Sequence, residues 1–143
     1  MKVIFLDVDG VLNSVRDYYS IDLVTDSHFE LLKELIDITG AKIVLSSSWR
    51  FGIDDVNCSA HNLITRLSEY DLTIFDKTPV LRGKKRGDEI RAWLDKHEGI
   101  TDFVILDDES DMCEFTKTNL VKTDTNFGLN KRHVEKAVEI LNA

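Results

Sequence analysis

Residues 1–13 read MKVIFLDVDGVLN, with an apolar run from Val3 to Leu6 set directly before two aspartates, Asp7 and Asp9. A continuous apolar run marks a strand covered on both faces, where a carboxylate is tolerated only at the strand's mouth. Residues i and i+2 of an extended chain point the same way, roughly 6.6 Å apart, so Asp7 and Asp9 can address one bound group. Gly10 then permits a sharp turn out of the strand. Asp-Gly is also an ordinary turn signal, so the rest of the chain decides between a site and a solvated turn.

Two further apolar runs end in chemistry. AKIVLS at 41–46 leads into the hydroxyls Ser46, Ser47 and Ser48, and DFVILDDESD at 102–111 leads into Asp107, Asp108 and Asp111. Short strands are expected at LTIF from Leu72 and around 119–122. Helical spacing fills the intervals. Ser27 and Glu30 form a capping box before Leu31, Leu32, Leu35 and Ile36, with Gly40 as the stop. Asp55 to Tyr70 carries Val56, Ala60, Leu63, Ile64 and Leu67 on one face; GDEIRAWLDKHEG carries Ile90, Trp93, Leu94 and His97; a last helix carries Val134, Ala137, Val138 and Leu141.

Strands alternating with helices predict an α/β fold, a doubly wound, Rossmann-like parallel sheet with right-handed crossovers. Ligands in such sheets bind beyond the carboxyl ends of the strands, so the three chemical strand ends should meet in one crevice.

At 143 residues, 43% hydrophobic and 31% charged, the chain fits one domain over 1–143. No apolar stretch is long enough to span a membrane and no signal-peptide layout is visible, which predicts a soluble, cytoplasmic protein. Cys58 and Cys113 stand far apart, so buried reduced thiols are expected in place of a disulfide or zinc site. A net charge of −8 disfavours broad nucleic-acid binding while leaving room for a local basic patch.

Four or five acids in one crevice repel unless a cation sits among them, and oxygen ligands without paired histidines or sulfur select Mg²⁺. Magnesium points to phosphate chemistry. Donors for a phosphate are available from Ser46, Ser47 and the cations of RGKKRGDEIR at 82–91.

This set, in this order, resembles the haloacid dehalogenase (HAD) superfamily of phosphohydrolases: DVDG at 7–10, Ser46, the run Lys84, Lys85, Arg86, and LDDESD at 106–111. The resemblance implies that Asp7 is the nucleophile, forming an aspartyl-phosphate, and that Asp9 is the general acid and base. It also implies a metal held by Asp7, the Asp9 backbone carbonyl and Asp107, with Asp108 and Asp111 orienting waters or ligating in part. Lys85 or Arg86 takes the place of the family's phosphate-binding lysine. FLDVDGVLN, IVLSSSWR, RGDEIRAWL, VILDD and TDTNFGL look most like the small HAD domains of Swiss Army Knife RNA repair proteins, which implies a nucleic-acid terminal phosphate as substrate.

The intervals between motifs leave no space for a full cap domain, which suits a bulky substrate, with Arg50 and Arg16 placed near the mouth to grip a second phosphate. Two alternatives stand beside this reading. One is a phosphatase of nucleotides or sugar phosphates, and the other is a non-catalytic phosphate and metal switch like a receiver domain.

Overall fold

The computed structural model describes residues 1–14 and 26–143. Five strands, β1 (Lys2–Leu6), β2 (Lys42–Leu45), β3 (Ile74–Lys77), β4 (Asp102–Asp107) and β5 (Leu120–Lys122), form one sheet in the order β3-β2-β1-β4-β5. All four pairings are parallel, and Leu6 lies opposite both Leu45 and Leu106. Among the described residues four α-helices cover the sheet: α1 (Asp26–Thr39), α2 (Asn62–Ser68), α3 (Arg86–Asp95) and α4 (Lys131–Leu141). This is the doubly wound fold that the alternating pattern predicts.

Side chains along a strand alternate between faces, and the core divides accordingly. Ile4, Leu6, Ile43, Leu45, Val104 and Leu106 pack with Phe29, Leu32 and Leu35 of α1, Leu63 and Leu67 of α2, and Val134, Ala137 and Leu141 of α4. Val3, Phe5, Val44 and Ile105 pack on the other face with Ile90 and Trp93 of α3 and with Met112 and Phe115. Each apolar run is buried on both faces, which is why it reads as continuous rather than alternating.

Among the described residues no cap-sized domain interrupts this core, and the stretch between β3 and α3 is a short loop. Among the described residues no helix is long and apolar enough to cross a membrane.

Several local expectations are corrected. The helix expected over Asp55 to Tyr70 is a turn, a 3₁₀ helix at Ser59–His61, and only then α2, which leaves Val56 exposed. Asp55 causes this: its Oδ1 accepts the Asn57 N–H at 2.9 Å and its carbonyl accepts the Cys58 N–H, a local turn that competes with helix. Ser27 is helical, within α1 and preceded in it by Asp26, so it does not stand ahead of the helix as a cap. The expected LTIF strand is shifted, with β3 running from Ile74 to Lys77 at the sheet edge. Cys58 is half-buried and Cys113 exposed, so neither thiol is a core residue.

One contact fixes α3 against the loop after β4. The Gly87 N–H donates to the Asp111 carbonyl at 3.1 Å, and a Cβ on Gly87 would fall 2.4 Å from the Met112 carbonyl carbon. No side chain fits there, and the backbone on the other side cannot yield as a flexible side chain could. Gly87→Ala should therefore cost about 1–3 kcal/mol of stability, read as a lower urea midpoint at unchanged slope; a midpoint equal to the parent's would contradict the close approach.

Candidate active site

The strand order reverses direction between β1 and β4, the position where open α/β sheets bind ligands. Asp7 follows β1, Asp107 ends β4, and Ser46 follows β2. Each comes two residues after a side chain facing α3, namely Phe5, Ile105 and Val44, so strand parity turns all three toward the α3 face.

Carboxylate oxygens of Asp7, Asp107 and Asp108 lie within 4.8 Å of one another. Asp7 and Asp107 are buried and Asp108 is half-buried. Asp107 Oδ1 accepts the Glu109 N–H at 2.9 Å, and Asp108 Oδ2 accepts the Thr125 hydroxyl at 2.8 Å. Asp108 packs over Gly10, whose φ is +80° and whose added Cβ would stand 2.2 Å from Asp108 Oδ2. Glycine is required there both by the turn and by the carboxylate lying on it.

Arg86, the first residue of α3, is the cation that faces this group. Its guanidinium donates to the Ser46 carbonyl and lies 3.7 Å from Glu89 Oε1, and its charge acts on both Asp7 and Asp107. Lys84 and Lys85 are exposed; the Lys85 N–H donates to Asp88 Oδ2 at 3.0 Å at the start of α3. Ser47 contributes a hydroxyl hydrogen bond to Asp7 and accepts the Trp49 N–H at 3.1 Å. Ser46 is fully buried, and among the described residues its Oγ is the one buried hydroxyl without a hydrogen-bond partner.

Burial raises the Asp7 pKa to about 6, against the opposing pull of the Val8 N–H and the Arg86 charge. Burial and then the negative charge of Asp7 raise Asp107 to about 9. The two share protons as a pair. A donor set of three carboxylates, two of them buried and mutually repelling, fits a hard divalent cation, which would relieve both causes at once.

The other expected residues fall around this centre. Asp9 is not one of the three clustered carboxylates: its Oδ1 accepts the Asn13 side-chain amide at 2.9 Å and its Oδ2 accepts the Trp49 indole N–H at 3.2 Å. Asn13 Oδ1 in turn accepts the Gly10 N–H at 2.8 Å, so the DVDG turn and the Asp9 carboxylate are fixed by one side chain. Asp111 is exposed and stands outside the cluster. Arg16 lies outside the described residues.

The expected surface position of Arg50 is corrected. It is 6% exposed, its guanidinium donating to Thr78, to the Pro79 carbonyl at 3.3 Å and to both Glu89 oxygens at 3.3 and 3.4 Å. Glu89 also accepts the Leu81 N–H at 2.9 Å, so the pair clasps the loops after β2 and β3 to α3. Burial lowers the Arg50 pKa and the Glu89 charge opposes that shift. Sequence reasoning gave no role to Asn13, Trp49, Glu89 or Thr125. Asn13 closes FLDVDGVLN and Thr125 lies in TDTNFGL, so the signal was the motif stretch itself, read one residue further along.

Fold and site together define a parallel-sheet domain with a carboxylate centre at its switch point. The chain belongs to the family described as the HAD domain in Swiss Army Knife RNA repair proteins, whose model matches residues 3–134. No curated protein matches the chain as a significant relative.

The raised carboxylates set a pH dependence. In the folded, metal-free protein Asp7 and Asp107 retain protons that the unfolded chain, with carboxyl pKa values near 4, has already released. Their contribution to stability is therefore full near pH 4 and is lost as the pH climbs through about 6 and about 9. With EDTA present, the Tm should fall between pH 5 and pH 9, fall less in Asp107→Asn, and recover most on adding Mg²⁺ at the alkaline end. A parent Tm that rises over that interval, or a decline equal in Asp107→Asn, would contradict the burial of these groups.

Proposed function

We propose that this domain is a magnesium-dependent phosphatase that hydrolyses a phosphomonoester through an aspartyl-phosphate on Asp7, with a nucleic-acid terminal phosphate as its substrate. The convergence of Asp7, Asp107 and Asp108 in front of Arg86 carries the reading. Membership of a HAD family supports phosphohydrolase chemistry.

Asp7, Asp107 and Asp108 would hold the magnesium ion, which would supply positive charge to offset the repulsion between a carboxylate and a phosphate. An Asp7 oxygen attacks phosphorus, the bond to the leaving oxygen breaks, and Asp9 hands that oxygen a proton. Water then attacks the acyl phosphate, Asp9 takes the proton back, and Asp7 and inorganic phosphate are released. Asn13 and Trp49 hold the Asp9 carboxylate in one orientation for both steps. Arg86 and Ser47 hold phosphoryl oxygens as negative charge shifts among them.

The substrate class draws on the uncapped crevice, on the exposed Arg82, Lys84 and Lys85 beside Arg86, and on the repair proteins that name the family. Net charge −8 limits the grip to a few phosphates at an end. With Mg²⁺ present, the domain should release phosphate from 3′- or 5′-phosphorylated oligonucleotides at higher kcat/KM than from mononucleotides or sugar phosphates. Asp7→Asn should lower kcat at least about a thousandfold while the protein stays folded. Better turnover of a small phosphate would move the substrate to that class, and activity retained by folded Asp7→Asn would refute the mechanism.

A further inference from the structure

The 3₁₀ turn after β2 holds a feature that the chemistry at Asp7 does not use. Ser48–Phe51 sets Trp49 and Phe51 along an open cleft of about 310 Å³, whose wall also takes in Asp9, Asn13, Cys58 and Ala60. Trp49 packs on the core and spends its indole N–H on Asp9. Phe51 does neither: 74% of it is exposed, an aromatic side chain kept in water at the lip of a mainly apolar cleft.

We propose that this cleft is the leaving-group subsite and that it takes a nucleobase, that of the nucleotide bearing the scissile phosphate, stacked against Phe51. The inference rests on the phosphatase reading, in which Asp9 protonates the leaving oxygen. Asp9 forms part of the cleft wall, and both residues that orient its carboxylate line the same cleft, so whatever leaves with that proton departs into this space. The volume lies at the low end of small-ligand pockets, room for a ring rather than a chain. An exposed aromatic face next to an apolar wall suits a flat heterocycle, and stacking tolerates any base, as an enzyme acting on strand ends requires. A tyrosine ring has the same flatness. The exposed cations Arg82, Lys84 and Lys85 beside Arg86 favour the base, because a polynucleotide brings further phosphates for them and a phosphotyrosine peptide does not.

The test is equilibrium binding to folded Asp7→Asn protein with Mg²⁺, using fluorescently labelled oligonucleotides phosphorylated at the 3′ or 5′ end. Each is compared with a twin whose phosphorylated nucleotide is abasic. The base-bearing end should bind about five- to a hundredfold tighter. Adding Phe51→Ala should erase that ratio, and adding Phe51→Trp should keep it. Equal binding of the twins, a ratio that survives Phe51→Ala, or tighter capture of a phosphotyrosine peptide would overturn the proposal. Base-dependent binding that needs Phe51, without hydrolysis of any phosphomonoester by the parent, would uphold the nucleobase site and overturn its leaving-group role together with the phosphatase reading.

Discussion

Two carboxylates, Asp7 and Asp107, stand on neighbouring strand ends with apolar core beneath them, and the arrangement around them answers the cost of burying like charges together. The parallel pairing of β1 with β4 brings them side by side, and the reversal of strand order at that pair leaves the space above them free of a crossover. Arg86 supplies one positive charge from the start of α3, and the N–H groups of Val8 and Glu109 supply partial ones. These do not bring either carboxyl back to its ordinary range. The remaining imbalance is the physical reason that this position fits a divalent cation.

The position of Arg86 depends in turn on how α3 is held. Gly87 lets the helix start touch the backbone after β4, and the buried Arg50–Glu89 pair clasps the same helix to the loops after β2 and β3. A buried ion pair of this kind contributes little net stability against an apolar replacement, yet loss of one partner leaves an uncompensated charge worth about 3–5 kcal/mol. Its service is geometric: it fixes the helix whose first residue faces the aspartates.

Much of this was legible in the sequence, because burial on both faces makes a parallel strand a continuous apolar run and because the acids interrupt two such runs. The sheet, the pairing of Asp7 with Asp107 and the placing of Arg86 at a helix start follow from those runs and from RGDEI. Directions of side chains were less legible. The spacing of Asp7 and Asp9 gives no sign of what holds the Asp9 carboxylate, which accepts from Asn13 and Trp49, while Asn13 also accepts the Gly10 N–H of the turn. Arg50 reads as a surface cation from its type, and only the fold brings Glu89 to it across 39 residues. Asp55 looks like an ordinary helix start until its side chain is seen closing a turn. Each miss is a tertiary or side-chain-to-backbone bond that no periodicity encodes.

The claim on which the rest depends is that the Asp7–Asp107 pair holds a proton when no metal is bound and gives it up to a divalent cation. Calorimetric titration of the metal-free protein with Mg²⁺ at pH 7, in two buffers of different ionisation enthalpy, counts that proton directly. With Asp107 raised to about 9, the account predicts release of about one proton per ion bound, and a smaller release in Asp107→Asn. Magnesium binding with the same heat in both buffers would mean the pair is already fully ionised, and would contradict it.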